Sequence, residues 1–176
     1  MTKDLTKYFS CFHGDTGERA SLRELLAAAE DAEVVVIGEC HDDPVAHALE
    51  MFVLVSLAAR RDRCGLSLEM FETDAQLVLD EYLAGLIRER DFLLDARPWA
   101  NYETDYRPLI EFAKACQLPV IAANAPRRYV GAVGRMEDAF YPSHARWPAG
   151  TIGLLPPLPL PTPSERYLTH LRQDPA

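Results

Sequence analysis

The chain is expected to fold as an α/β domain: a mostly parallel sheet flanked by helices, with a ligand site at the C-terminal ends of the strands. Three observations predict it. Short apolar runs at 34–37, 65–70 and 119–124 have the length and composition of buried strands. Amphipathic or apolar helix-like stretches separate them, giving the order β-α-β-α-(α)-β-α, which argues for parallel strands joined by crossovers. Each run also ends in polar or ionisable residues. Val34-Val35-Val36-Ile37 leads into Gly38-Glu39-Cys40-His41-Asp42-Asp43, Gly65-Leu66-Ser67-Leu68 into Glu69-Met70-Phe71-Glu72, and Val120-Ile121-Ala122-Ala123 into Asn124-Ala125-Pro126-Arg127-Arg128. In an open α/β sheet these ends share one edge, where ligands bind. Glu39, His41, Glu69, Glu72, Asn124 and Arg127 are therefore expected to converge.

The elements follow in order. Ser21-Leu22-Arg23-Glu24 is a capping-box pattern opening a helix over 22–29. The β-branched run 34–37 suits a strand covered on both faces. Asp43-Pro44 starts a helix that reaches about 60, with Asp as N-cap and Pro at the first position. Its apolar surround predicts that it is well buried. Strand 65–70 follows, then a helix over 74–83 capped by Thr73 and closed by Gly85, then a short helix over 86–94. Residues 97–106 are polar and aromatic without a period and read as a loop lying across a site. A helix over 107–116 with Asp105 as N-cap, strand 119–124 and a weaker helix after Pro126 complete the domain. The α/β domain is assigned to 1–141, with its core in 22–135. Residues 142–176 are a Pro-rich extended segment and the start of a helix, expected to lead into further chain. Three strands make a thin sheet, one that further chain or another copy would complete.

Composition narrows the function. The 176 residues suffice for one domain with a core, and 48% are hydrophobic. A net charge of −9 argues against nucleic acid, whose phosphates need Lys/Arg clusters. Four cysteines, at 11, 40, 64 and 116, lack metal or haem-attachment spacing; Cys64 and Cys116 are expected to be reduced and buried. The N-terminus carries no apolar signal and no run is long enough to span a bilayer. The chain as written reads as cytoplasmic, or membrane-associated if an export or lipoprotein signal has been lost.

Four constellations could carry chemistry. In an extended segment Glu39 and His41 point the same way, which suits a divalent metal or a general base oriented by a carboxylate. Capping of the next helix is the plainer alternative. Glu69, at the end of an apolar strand, is expected to be half-buried and to need a cation: Arg127, Arg107, or a metal shared with His41 and Glu39. Glu72 looks more solvent-facing. Tyr106 and Arg107 could reach over the strand ends, although Tyr106 also suits simple aromatic packing. Asn124 can donate and accept, and Arg127 or Arg128 can hold a carboxylate. His47, on an apolar helix, reads as a satisfied core or edge histidine. There is no G-x-S-x-G, P-loop or G-x-G-x-x-G.

In this order, Ile37-Gly38-Glu39-x-His41-Asp42, Ser67-Leu68-Glu69-Met70-Phe71-Glu72, Trp99 with Asp105-Tyr106-Arg107-Pro108, and Ala123-Asn124-Ala125-Pro126-Arg127-Arg128 resemble the ChaN-like family. That family is haem-binding and uptake-associated, within a superfamily that includes the Tiki proteases and erythromycin esterases. The resemblance implies haem held by a tyrosine, with two haems between the subunits of a homodimer. Tyr106 ranks first among Tyr102, Tyr106, Tyr129 and Tyr141, and Arg107, Asn124, Arg127 and Glu72 are the other cofactor-binding candidates. The enzymatic members of the superfamily imply an alternative, a metal-dependent or general-base hydrolase using Glu39, His41 and Glu69. The resemblance spans about 22–164, and family chains usually continue further. A fragment without activity of its own is a third reading.

Overall fold

The computed structural model describes residues 7–61, 63–135, 149–156, 162–165 and 168–169. They form a mixed α/β fold in which helices flank a small parallel sheet. A two-residue hairpin, β1 (Cys11–Phe12) with β2 (Arg19–Ala20), precedes α1 (Leu22–Asp31). The capping box is present: Ser21 Oγ accepts from Glu24 N at 3.2 Å, and Ser21 N donates to Glu24 Oε2 at 2.7 Å. α2 (Pro44–Ala58) starts as expected, with Asp43 Oδ1 accepting from Val45 N at 2.8 Å. Of its apolar surface, only Val53 and Leu54 are fully buried, so α2 is less enclosed than its composition predicts.

Strand β3 (Leu66–Glu72) pairs in parallel with β4 (Val120–Asn124). Gly65 permits the entry: a Cβ there would stand 3.2 Å from Pro119 Cγ, against which the chain closes through Leu66 N to Pro119 O. The register runs Leu66 to Val120, Ser67 to Ile121 and Leu68 to Ala122, then resumes at Glu72 with Asn124. β3 thus advances four residues where β4 advances two, a bulge that brings both Met70 and Phe71 into the core.

Between the strands lie a 3-10 turn (Thr73–Ala75), α3 (Gln76–Leu83), α4 (Glu89–Ala96), a π-helical turn (Tyr102–Tyr106) and α5 (Arg107–Ala115). Gly85, at φ +73°, turns the chain out of α3 in a conformation that side chains resist. Thr73 does not cap α3; its hydroxyl donates instead to Leu154 O, in the 3-10 segment Ala149–Leu154. Asp105 does not cap α5 either, because the π turn runs directly into that helix. α6 (Arg127–Arg135) follows β4. The core is centred on Phe71, Leu79, Phe92, Leu109 and Ile110, with Tyr82 stacked on Phe92 at 4.7 Å.

The two sheet edges differ. Gln76 acts as a surrogate strand for β4, donating to Val120 O at 2.9 Å and accepting from Ala122 N at 2.7 Å. The other edge of β3 pairs with no strand among the described residues. Residues 34–37, expected to be a strand, form none. Val34 is 76% and Val36 88% exposed, so no layer covers either residue, and the run lacks the two-sided burial that its composition suits. Cys116 is exposed rather than buried, Cys64 is half-buried, and all four cysteines are free. No described helix is long and apolar enough to cross a membrane. Most of the Pro-rich segment lies outside the described residues.

Candidate functional site

A groove of about 990 Å³ runs between the free edge of β3, α2 and the segment before α2. Its walls are mainly apolar: Val35, Ile37, Leu54, Leu57, Leu66, Leu68 and Met70. Glu39, His41, Glu50, Trp99 and Tyr106 line it as well, and so do Arg61 and Arg63 ahead of β3.

Glu39 is the hub of the polar wall. Its Oε1 accepts from Tyr106 OH at 2.7 Å and from His41 Nδ1 at 2.7 Å. Burial pushes the Glu39 carboxyl up, but the bonds from His41 and Tyr106 outweigh it and hold the pKa below the ordinary value. Tyr106 is buried, and burial together with the Glu39 acceptor pushes its phenol well above the ordinary value. The tyrosine therefore sits fully protonated beside a carboxylate. His41 is 58% exposed and its ring lies 4.3 Å from that of Trp99.

Behind this pair lies His47, whose side chain is only 4% exposed. Its Nδ1 pairs with Glu50 Oε2 at 2.9 Å, and its Nε2 donates to the His41 carbonyl at 3.1 Å. Glu39 Oε2 and Asp105 Oδ2 each stand 3.9 Å from the same Nε2. Burial pushes the His47 pKa down, but the His41 carbonyl, Glu50 and Asp105 more than reverse this and raise it. Burial raises that of Glu50. The π turn locks the arrangement, since Asn101 Nδ2 donates both to His41 O at 2.6 Å and to Asp105 Oδ2 at 2.9 Å.

The sequence-predicted residues divide into groups. Glu39, His41 and Tyr106 come together. Glu69 lines the same groove but is exposed, not half-buried, because it shares the uncovered face of β3 with Ser67. Glu72 lies in a separate ion-pair network with Arg97 at 3.3 Å and Arg127 at 3.4 Å, which continues through Asp74 to Arg128. Asn124 pairs in register with Glu72 and does not line the groove. Arg107 is held by Glu89, through Nε at 2.5 Å and Nη2 at 3.0 Å. The expected single convergence of six strand-end residues is therefore not seen. Without a strand at 34–37, Glu39 and His41 approach from the side of α2 rather than from a shared sheet edge.

His47 is the satisfied, buried histidine that its place on an apolar helix suggests, and Glu50, one turn on, is the partner of its Nδ1. Their signal was a polar pair at i and i+3 on an otherwise apolar helix, six residues after His41.

Residues 25–171 match the family model described as haem-binding uptake, Tiki superfamily, ChaN. The chain belongs to the ChaN family. No curated protein and no solved structure matches it. The groove fits the group that the ChaN family name implies, in three respects. It has the volume of a cofactor pocket, long apolar walls, and a phenol whose proton is already bonded to an acceptor.

Proposed function

We propose that this ChaN-family chain binds haem in the groove beside β3, with Tyr106 as the iron ligand, and serves haem or iron uptake. The supporting observation is the Tyr106–Glu39 bond inside an apolar groove. Ligation by tyrosine needs the phenolate, and Glu39 is the acceptor in contact with that proton. The raised phenol pKa means that the free chain does not expose a phenolate; ferric iron, as a Lewis acid, would supply the drive for deprotonation. Arg61 and Arg63 form no ion pair among the described residues and are the cations on hand for the propionates. Arg107 and Arg127, the cofactor-binding candidates from the sequence, are paired with Glu89 and Glu72. A second copy sharing the open groove accounts for the dimer that the family resemblance implies.

The test is a haemin titration followed by visible absorption, with size-exclusion alongside. A saturable Soret change near one haem per chain is expected, with Tyr106→Phe altering the spectrum and Arg61→Ala weakening binding. A non-saturating response from folded protein refutes the reading. So does an unchanged spectrum for Tyr106→Phe.

One observation favours a second reading. His41 has its Nδ1 fixed by a carboxylate, the arrangement of a general base, and it faces the groove. Hydrolysis through Glu39 and His41, with Glu69 on the same groove, predicts ester or peptide turnover that His41→Ala abolishes and Tyr106→Phe leaves measurable.

A further inference from the structure

We propose that Glu39, His47 and Glu50 form a binding site for one divalent first-row transition cation, of which Zn²⁺ and Mn²⁺ are the closest fits. This goes beyond haem binding and does not depend on it.

The three residues each offer one ligand atom, and these atoms lie within 4.8 Å of one another. Ligands about 2.0–2.2 Å from a shared ion stand roughly 3–3.5 Å apart, so small side-chain movements close the set. His47 and Glu50 are one turn apart on α2, which fixes their spacing, and Glu39 enters from the preceding segment. Independently of that spacing, Glu39 Oε2 is buried with no hydrogen-bond partner among the described residues, on a side chain only 9% exposed. It is the oxygen aimed at His47, at 3.9 Å. A carboxylate oxygen taken out of water without a donor is costly. Its sister oxygen is fully used by Tyr106 and His41. Glu39 therefore turns one oxygen to the groove and one to the cluster.

The donor set selects the ion. An imidazole nitrogen with two carboxylates, and Asp105 close by, suits Zn²⁺ or Mn²⁺. Ca²⁺ and Mg²⁺ favour oxygen-only shells, which the imidazole spoils. Coordination takes the ring as neutral imidazole, so His47 gives up one ring proton to solvent as the ion enters.

The measurement is Mn²⁺ binding to the full chain by electron paramagnetic resonance of the free ion, with Zn²⁺ binding by calorimetry and metal content after dialysis. One ion per chain is expected. Glu50→Gln and Glu39→Gln keep the shape of each side chain and remove its charge, and each should weaken binding at least tenfold. If one of them fails to fold by circular dichroism, the other carries the test. Glu103→Gln, an exposed carboxylate outside the cluster, should stay within about threefold of the parent. Absence of saturable binding overturns the proposal, as does parental affinity in a folded Glu39→Gln or Glu50→Gln. Loss of binding in His41→Ala with retention in Glu50→Gln also overturns it, and moves the site to the exposed Glu39–His41 pair.

Discussion

Replacing Tyr106 with phenylalanine isolates one hydrogen bond in the candidate site. The ring stays, so its edge contacts with His47 at 4.8 Å and Trp99 at 5.8 Å persist and no large cavity opens. What is lost is the 2.7 Å bond from the phenol to Glu39 Oε1. A hydrogen bond to a charged group is worth about 1.5–3 kcal/mol. The low end is expected, because His41 Nδ1 still serves the same oxygen. The assay is urea unfolding followed by far-ultraviolet circular dichroism, repeated in a Glu39→Gln background. Charge-assisted bonds are roughly twice as strong as neutral ones, so the loss should fall to about half when the acceptor is an amide. A loss below about 0.5 kcal/mol, or the same loss in both backgrounds, would refute the claim that the carboxylate and the phenol are coupled.

Two further outcomes concern the scaffold. Phe92 is fully buried between Phe71, Tyr82 and Tyr102, so Phe92→Ala should destabilise by about 3–5 kcal/mol in the same unfolding assay. Arg107 holds the Glu89 carboxyl below its ordinary pKa. A depressed folded pKa gives stability that is present above the unfolded value, about 4.3, and is lost as pH falls through the folded value. Thermal melts between pH 3 and 6 should therefore show a shallower acid decline for Glu89→Gln, by a small margin because water screens the pair; an unchanged slope would discount it.

Much of the scaffold was legible because its signals are local. Ser21 with Glu24, Asp43 with Pro44, and the short apolar runs that became β3 and β4 each carry their own punctuation. The fate of 34–37 was not local. Four consecutive β-branched residues state a preference for extended backbone, but a strand also needs a neighbour and two covering layers. The helix caps expected of Thr73 and Asp105 fail because a distant carbonyl, Leu154 O, claims the Thr73 hydroxyl and because the π turn runs straight into α5 past Asp105. In the site, Glu39, His41 and Tyr106 were readable as strand-end and helix-entry residues. His47 and Glu50 were not, since a histidine on an apolar helix has many uses, and only the arrival of Glu39 from another segment makes it a hub.

The bulge in β3 also governs how the chain finds its pairing. A two-stranded parallel sheet has few bonds to define alignment, and a slip by one residue would turn every side chain to the wrong face. With two surplus residues fixed between Leu68 and Glu72, sliding would set that surplus against regular ladder and expose Phe71. The irregularity works as a key cut into the strand, admitting one alignment. Adding or removing a pair of residues there should therefore be tolerated far less than the same change in the turn around Gly85.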